Sequence, residues 1–220
     1  MDLYHVLNRG VEKRDLFMDT RDYARFVHDM YEFNQRAATD NVRRRMEEMT
    51  DFVNPSSEPR KRIVDIRGWC LMKNHYHLLL SERIDGGMTL FIRRLNIGYA
   101  NYFNQRYSRS GFLFQGRTKK KRIDSDAYFL HILHYIHLNP LDFLSGCNEW
   151  RQRKISSARK AAEHLESYRW SSYLDYCGKK NFPSILTTNL FQEHSGGIQR
   201  ETSAYLRDIE IGDLGELTLE

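Results

Sequence analysis

The chain predicts an α+β fold, an antiparallel sheet with helices packed on it. Two observations carry that prediction. Four short segments bounded by turn residues have the make-up of strands, and three longer ones have the caps or the spacing of helices. They also interleave, in the order strand, helix, strand, strand, helix, strand, helix.

"LYHVLNRG" alternates as a first strand and is closed by Gly10. Asp19-Thr20 starts a helix along which Tyr23, Phe26, Val27, Met30 and Tyr31 recur at helical spacing. Residues 38–62 are highly charged and end in a Pro/Ser loop, so they form a surface excursion, partly helical. "IVDIRGWCLM" and "HYHLLLSE" are two strands joined at Lys73-Asn74 as an antiparallel hairpin. Gly86-Gly87 breaks the chain before a second helix, about Met88 to Tyr107, with Phe91, Leu95, Tyr99 and Tyr102 on one face. "SGFLFQGRTKKKRI" makes a turn and a fourth strand with a very basic end. Asp124-Ser125-Asp126 caps a third helix running to Pro140. That order fits a ferredoxin-like sheet. Beyond it come a charged helical stretch ("SSARKAAEHLE"), an aromatic one ("YRWSSYLDY") and a thin polar tail. The division is therefore a domain over residues 1–178 and a C-terminal extension over 179–220 ending in an acidic tail.

At 220 residues, with 40% hydrophobic and 29% charged, the chain is a soluble globular protein long enough for one real core. No apolar run approaches the roughly 20 residues that span a bilayer, and the first residues lack a signal-peptide pattern. Cys70, Cys147 and Cys177 show no CxxC spacing and are odd in number, so they read as reduced thiols in a cytoplasmic protein. The distribution of charge is more informative than the net +5. Gly86 to Ile123 contains no acid, yet it holds Arg93, Arg94, Arg106, Arg109, Arg117, Lys119, Lys120, Lys121 and Arg122, with aromatics interleaved. Residues 201–220 carry −5, which leaves +10 on the first 200. Cations meeting phosphates and rings stacking on unpaired bases are what a nucleic-acid groove needs. A solvated basic helix whose aromatics belong to the core is the alternative.

"KNHYHLLLSE" places His75 and His77 two apart on a strand. Residues i and i+2 share a face about 6.8 Å apart along the chain, so the pair can converge on one ion while Tyr76 faces away. Zinc hydrolases and cupin-like barrels use the same pair, and many such pairs bind nothing. In "HYIHLNP", Tyr135 and Asn139 are i and i+4 and share a helix face. Pro140 disfavours helical geometry at Asn139, which leaves its carboxamide oxygen free to act as a neutral third ligand, or the residue as a cap. His131, His134 and His137 drift around the helix and read as polar packing or DNA contacts. Trp69, Trp150 and Trp170 read as core.

These residues carry a resemblance. "YHVLNRG", "GWCLMKNHYHLLL", "NYFNQRYSRSGFLFQGR", "YIHLNPL" and "YRWSSYLDY" follow one another as in the REP-associated tyrosine transposases, a family of single-tyrosine HUH transposases. Lys73 departs from the family in standing where proline is expected, and the 38–62 excursion is long. The resemblance implies the HUH endonuclease fold, with His75 and His77 as the metal-binding pair, Asn139 as third ligand and Tyr135 as nucleophile. It implies a divalent metal, Mg or Mn, whereas ligand softness alone would favour Mn or Zn. The implied activity is single-stranded DNA endonuclease and strand transferase, through a 5′-phosphotyrosine intermediate on hairpin, REP-like DNA. Whether Tyr135 serves its own subunit or the partner's in a homodimer stays open. The rivals are a non-catalytic nucleic-acid-binding module of the same fold, separated by a covalent DNA adduct, and a zinc hydrolase, which no HxHxDH or Glu-rich set supports.

Overall fold

A computed structural model describes residues 2–36, 61–123, 126–189 and 197–208 of the chain. The elements are β1 (Leu3–Arg9), α1 (Thr20–Glu32), β2 (Val64–Met72), β3 (His75–Glu82), α2 (Gly87–Arg106), β4 (Lys119–Ile123) and α3 (Asp126–Leu138). Three further helices follow: α4 (Ala158–Ser167), the four-residue α5 (Tyr173–Tyr176) and α6 (Ile198–Asp208). The fold is α+β, and the first seven elements stand in the order the sequence predicts. The excursion expected at 38–62 lies, apart from its last two residues, outside the described residues. So do Asp124 and Ser125, expected to cap α3, and the acidic stretch beyond Asp208.

The sheet runs β2-β3-β1-β4, every neighbour antiparallel. β1 and β2 are thus parallel with β3 between them, the split βαβ of a ferredoxin-like sheet. Lys73-Asn74 is the whole hairpin turn, and it sets Met72 opposite His75. Because that register is fixed, the alternation of β3 sends His75 and His77 to one face and Tyr76 to the other.

On the Tyr76 face lie α1 and α2. Asp19 caps α1 by accepting from the backbone N–H groups of Arg21 and Asp22. Phe26 packs on Tyr76 and Tyr99 with ring centroids 5.1 and 5.0 Å apart. Asp22, wholly buried, ties the two helices together. Its carboxylate accepts from Met18 N (2.8 Å), Tyr102 Oη (2.9 Å), Tyr107 Oη (2.7 Å) and an Arg106 guanidinium nitrogen (2.5 Å).

On the other face lies α3. It comes close because β2 carries glycine beneath it: a Cβ at Gly68 would stand 2.8 Å from Leu133 Cδ1. The α-helix stops at Leu138, two residues short of Pro140, and Asn139–Phe143 continue as a 3-10 turn. Ser157 caps α4. The polar tail expected after residue 178 is corrected by α6, whose Ile198, Thr202 and Leu206 are buried one turn apart. One buried position per turn, with a threonine as the middle one, is too sparse to stand out among polar neighbours. The three cysteines are free thiols. Among the described residues, no helix is long and apolar enough to cross a membrane.

Candidate metal centre and nucleic-acid interface

The histidines of β3 meet a third histidine from β1. Pairing places Leu7 opposite His77 and Arg9 opposite His75, and alternation along β1 puts His5 on the same face. His5 Nε2 and His77 Nδ1 are 2.9 Å apart, and the two rings stack with centroids 5.2 Å apart. His75 Nδ1 lies 2.7 Å from Asn74 Oδ1, while Asn74 Nδ2 donates to the Lys13 carbonyl. The Asn74 oxygen must therefore accept, so the His75 proton sits on Nδ1 and its Nε2 carries a lone pair.

All three rings stay neutral at ordinary pH. Burial, then the charges of Arg9 and Arg151, lowers His75 to about 3. Burial, then Lys121, lowers His5 to about 3. Burial first, then His75 and His5, holds His77 well below the usual imidazole range. Neutral imidazole is the ligating form.

The His75 and His77 rings are edge to face with centroids 5.0 Å apart. The Nε2 atoms of both are buried and have no hydrogen-bond partner among the described residues. Those two observations fit a divalent ion. No group of three His, Cys, Asp or Glu side chains among the described residues could hold one, so a third protein ligand would have to be of another type.

Tyr135 reaches His77 and His5 from α3. Its ring centroid is 5.7 Å from that of His77, 5.8 Å from His5 and 5.6 Å from Trp150, and the residue is 6% exposed. These histidines belong to its own chain. Asn139, one turn on, is wholly buried. Its Nδ2 donates to the Tyr135 carbonyl at 2.7 Å and its Oδ1 accepts from Arg151 Nη2 at 2.7 Å. An amide oxygen has two lone pairs, so this bond leaves one position on it. Arg151 is held by Asp142 at 2.6 Å and lies over the rings of Trp150 (4.4 Å) and Tyr135 (5.7 Å).

The cations divide by face. In β4, Lys121 pairs with His5 and Lys119 with Leu7, on the histidine face, while Lys120 and Arg122 point to the opposite one. Arg122 bonds Asp2 at 2.9 Å. A cavity of about 280 Å³ opens beside Arg9 and is lined also by Lys13, Gln115, Arg117 and Lys119. The arginines of α2 lie behind the sheet, and Arg109 follows the end of that helix. Arg94 donates to the Gln35 carbonyl, Arg106 is bound to Asp19 and Asp22, and Arg109 clamps Asn104 and the Phe112 carbonyl. Arg93 is exposed there.

Of the other aromatic and histidine residues, Trp69 and Trp150 are core and Trp170 is half-buried against Tyr23 and Phe182. His137 bonds Ser172, and burial followed by the His134 charge lowers it to about 3. His134 stacks on Tyr205 of α6.

Sequence reasoning missed His5, Asn74 and Arg151. His5 had one signal, a polar residue in phase with the buried positions of its strand. Arg151 had none, because the irregular segment between Asn139 and Arg151 hides their contact.

The family described as "Transposase IS200 like" matches residues 28–139, which span both histidines, Tyr135 and Asn139. A solved structure titled as a REP-associated tyrosine transposase bound to a REP hairpin is similar at 10% identity and a TM-score of 0.46. That likeness covers 84% of this chain and 85% of the other. No curated protein matches the chain. With the family match extending over half its length, the chain belongs to the IS200-like transposases.

Proposed function

We propose that the chain is a divalent-metal-dependent single-stranded DNA endonuclease and strand transferase with Tyr135 as nucleophile, acting on hairpin DNA. The observation that carries this reading is the packing of the Tyr135 ring against His77, whose Nε2 and that of His75 are buried without a partner among the described residues. His75, His77 and the Asn139 oxygen would hold the ion, Mg or Mn. When bound, it would draw negative charge from the scissile phosphate.

The remaining work falls to the chain. Trp150 and His77 pack against the Tyr135 ring, so the phenol is positioned before substrate arrives. Tyr135 Oη attacks phosphorus, the P–O3′ bond breaks, the phenolic proton passes to solvent and the departing 3′ oxygen takes one up. The product is a 5′-phosphotyrosine and a free 3′-OH. Because one phosphodiester replaces another, the 3′-OH of a second strand can reverse the step without ATP. Arg151 brings positive charge beside the attacking ring and braces Asn139. Arg9, Arg117, Lys119 and Lys121 would hold the flanking phosphates, and the cavity beside Arg9 approaches the lower end of the size range of small-ligand pockets. Residues 1–178 would form the catalytic unit and 179–220 an extension of it.

A non-catalytic DNA-binding module is the second reading, favoured by the hold of Arg151 on the Asn139 oxygen. Incubation with single-stranded hairpin DNA and Mn, followed by denaturing electrophoresis, separates the two. A band of chain covalently joined to DNA supports catalysis, and hairpin binding without that band supports the module.

A further inference from the structure

The His5 imidazole takes part in no step above, yet it is fully buried on the ligand face and has one polar contact among those described, with His77. We propose that His5 is a positioning residue whose Nε2 accepts the Nδ1 proton of His77 and so fixes the tautomer in which His77 Nε2 can bind the ion. The proposal rests on the reading of His75 and His77 as ligands.

Two neutral imidazoles 2.9 Å apart share one proton between the facing nitrogens. If His5 Nε2 donates it, the His77 proton must sit on Nε2, where it blocks ligation. If His77 Nδ1 donates, its Nε2 presents a lone pair on the opposite edge of the ring, and His5 keeps its own proton on Nδ1. Only the second arrangement makes His77 a ligand, and it requires an acceptor where His5 Nε2 stands. The stacked geometry, 17° between ring planes, also limits rotation of the His77 ring. Asn74 Oδ1 plays the same part for His75 from the hairpin turn, so each ligand has its own acceptor. His5 is not itself a ligand beside His77, because its Nε2 faces Nδ1 of that ring and not Nε2. The His5 ring also stands edge-on to Tyr135 at 5.8 Å, so one side chain packs against both ligand and nucleophile.

The test is titration of the full chain with Mn²⁺ alone, without DNA, following free Mn²⁺ by its paramagnetic resonance signal. His77→Ala should abolish binding at this site. His5→Leu, which keeps an apolar side chain of similar bulk, should weaken it about 10- to 100-fold, whereas His5→Gln, whose amide oxygen falls near the Nε2 position, should stay within about threefold of the native chain. In the Zn²⁺-loaded native chain, imidazole ¹⁵N shifts should report His77 protonated on Nδ1. Native affinity in His5→Leu together with loss in His77→Ala overturns the positioning role and leaves the ligand reading intact. A His5→Gln chain as weak as His5→Leu overturns the acceptor role. Unchanged binding in His77→Ala overturns the ligand reading itself.

Discussion

Arg106→Ala should destabilise the protein without altering its grip on DNA, although the position of Arg106 in an acid-free basic stretch suggests a phosphate contact. Its guanidinium bonds Asp22, whose side chain has no exposure, and Asp19, which is half exposed. Breaking a fully buried pair by removing one partner costs about 3–5 kcal/mol, and Arg106 is itself 22% exposed. The exposed Asp19 bond adds little. Asp22 would keep Met18 N and two phenol hydroxyls as donors. Burial and the bond to Asp22 raise Tyr102 to about 12, so that phenol keeps the proton it donates. The lower end, about 3 kcal/mol, therefore applies, which at roughly 2–4 °C per kcal/mol for a chain of this size lowers the Tm by about 6–12 °C. Thermal unfolding by circular dichroism measures it, and hairpin binding by the folded variant across a salt series gives the second readout. A Tm within about 2 °C of native, with a flatter salt slope, would refute the assignment and return Arg106 to the DNA-binding face.

Four further outcomes follow from the same geometry. The stability gap between native chain and Arg106→Ala should narrow, by the small Asp19 part alone, as pH falls below 3.8. The Arg106 bond holds Asp19 below that value, so its contribution is present above 3.8 and lost as pH falls through the folded value; a gap that widens on acidification contradicts this. His75→Ala or His77→Ala should lose divalent-ion-dependent cleavage of hairpin DNA and keep the native far-ultraviolet spectrum, and undiminished cleavage in either would remove it from the ligand set. Lys119→Glu with Lys121→Glu should weaken hairpin binding and reduce its log-log salt slope by about 0.7 per lost single-strand phosphate contact. Lys120→Glu, on the other face of β4, should change neither, and equal effects from all three lysines would argue against a single DNA-binding face.

The parts of the fold and site that depend on near neighbours in sequence were legible. The i+2 spacing of His75 and His77 and the i+4 spacing of Tyr135 and Asn139 fix shared faces by local geometry, and turn residues mark the ends of β1, β2 and β3. What could not be read depends on register and long-range packing. His5 joins His77 across 72 positions of sequence and only through the β1–β3 ladder. Arg106 meets Asp19 and Asp22 across more than 80, and from sequence alone a cation bound to a buried acid looks like a solvated one. Period-two alternation was available for Lys119 to Arg122 but is obscured by their uniform charge, so one basic patch conceals two faces.

The central claim is that Tyr135 attacks the DNA. The most direct measurement incubates the chain with single-stranded hairpin DNA and Mn²⁺, digests the covalent complex and maps the DNA-linked peptide by mass spectrometry. The account predicts a single linkage at Tyr135. It also predicts that Tyr135→Phe, which loses one hydroxyl at a cost of about 1 kcal/mol, still binds the hairpin and forms no adduct. A linkage at another tyrosine would contradict it. That holds above all for Tyr76, which is buried on the far face and bonded to Asn96. An adduct that survives in Tyr135→Phe would contradict it equally.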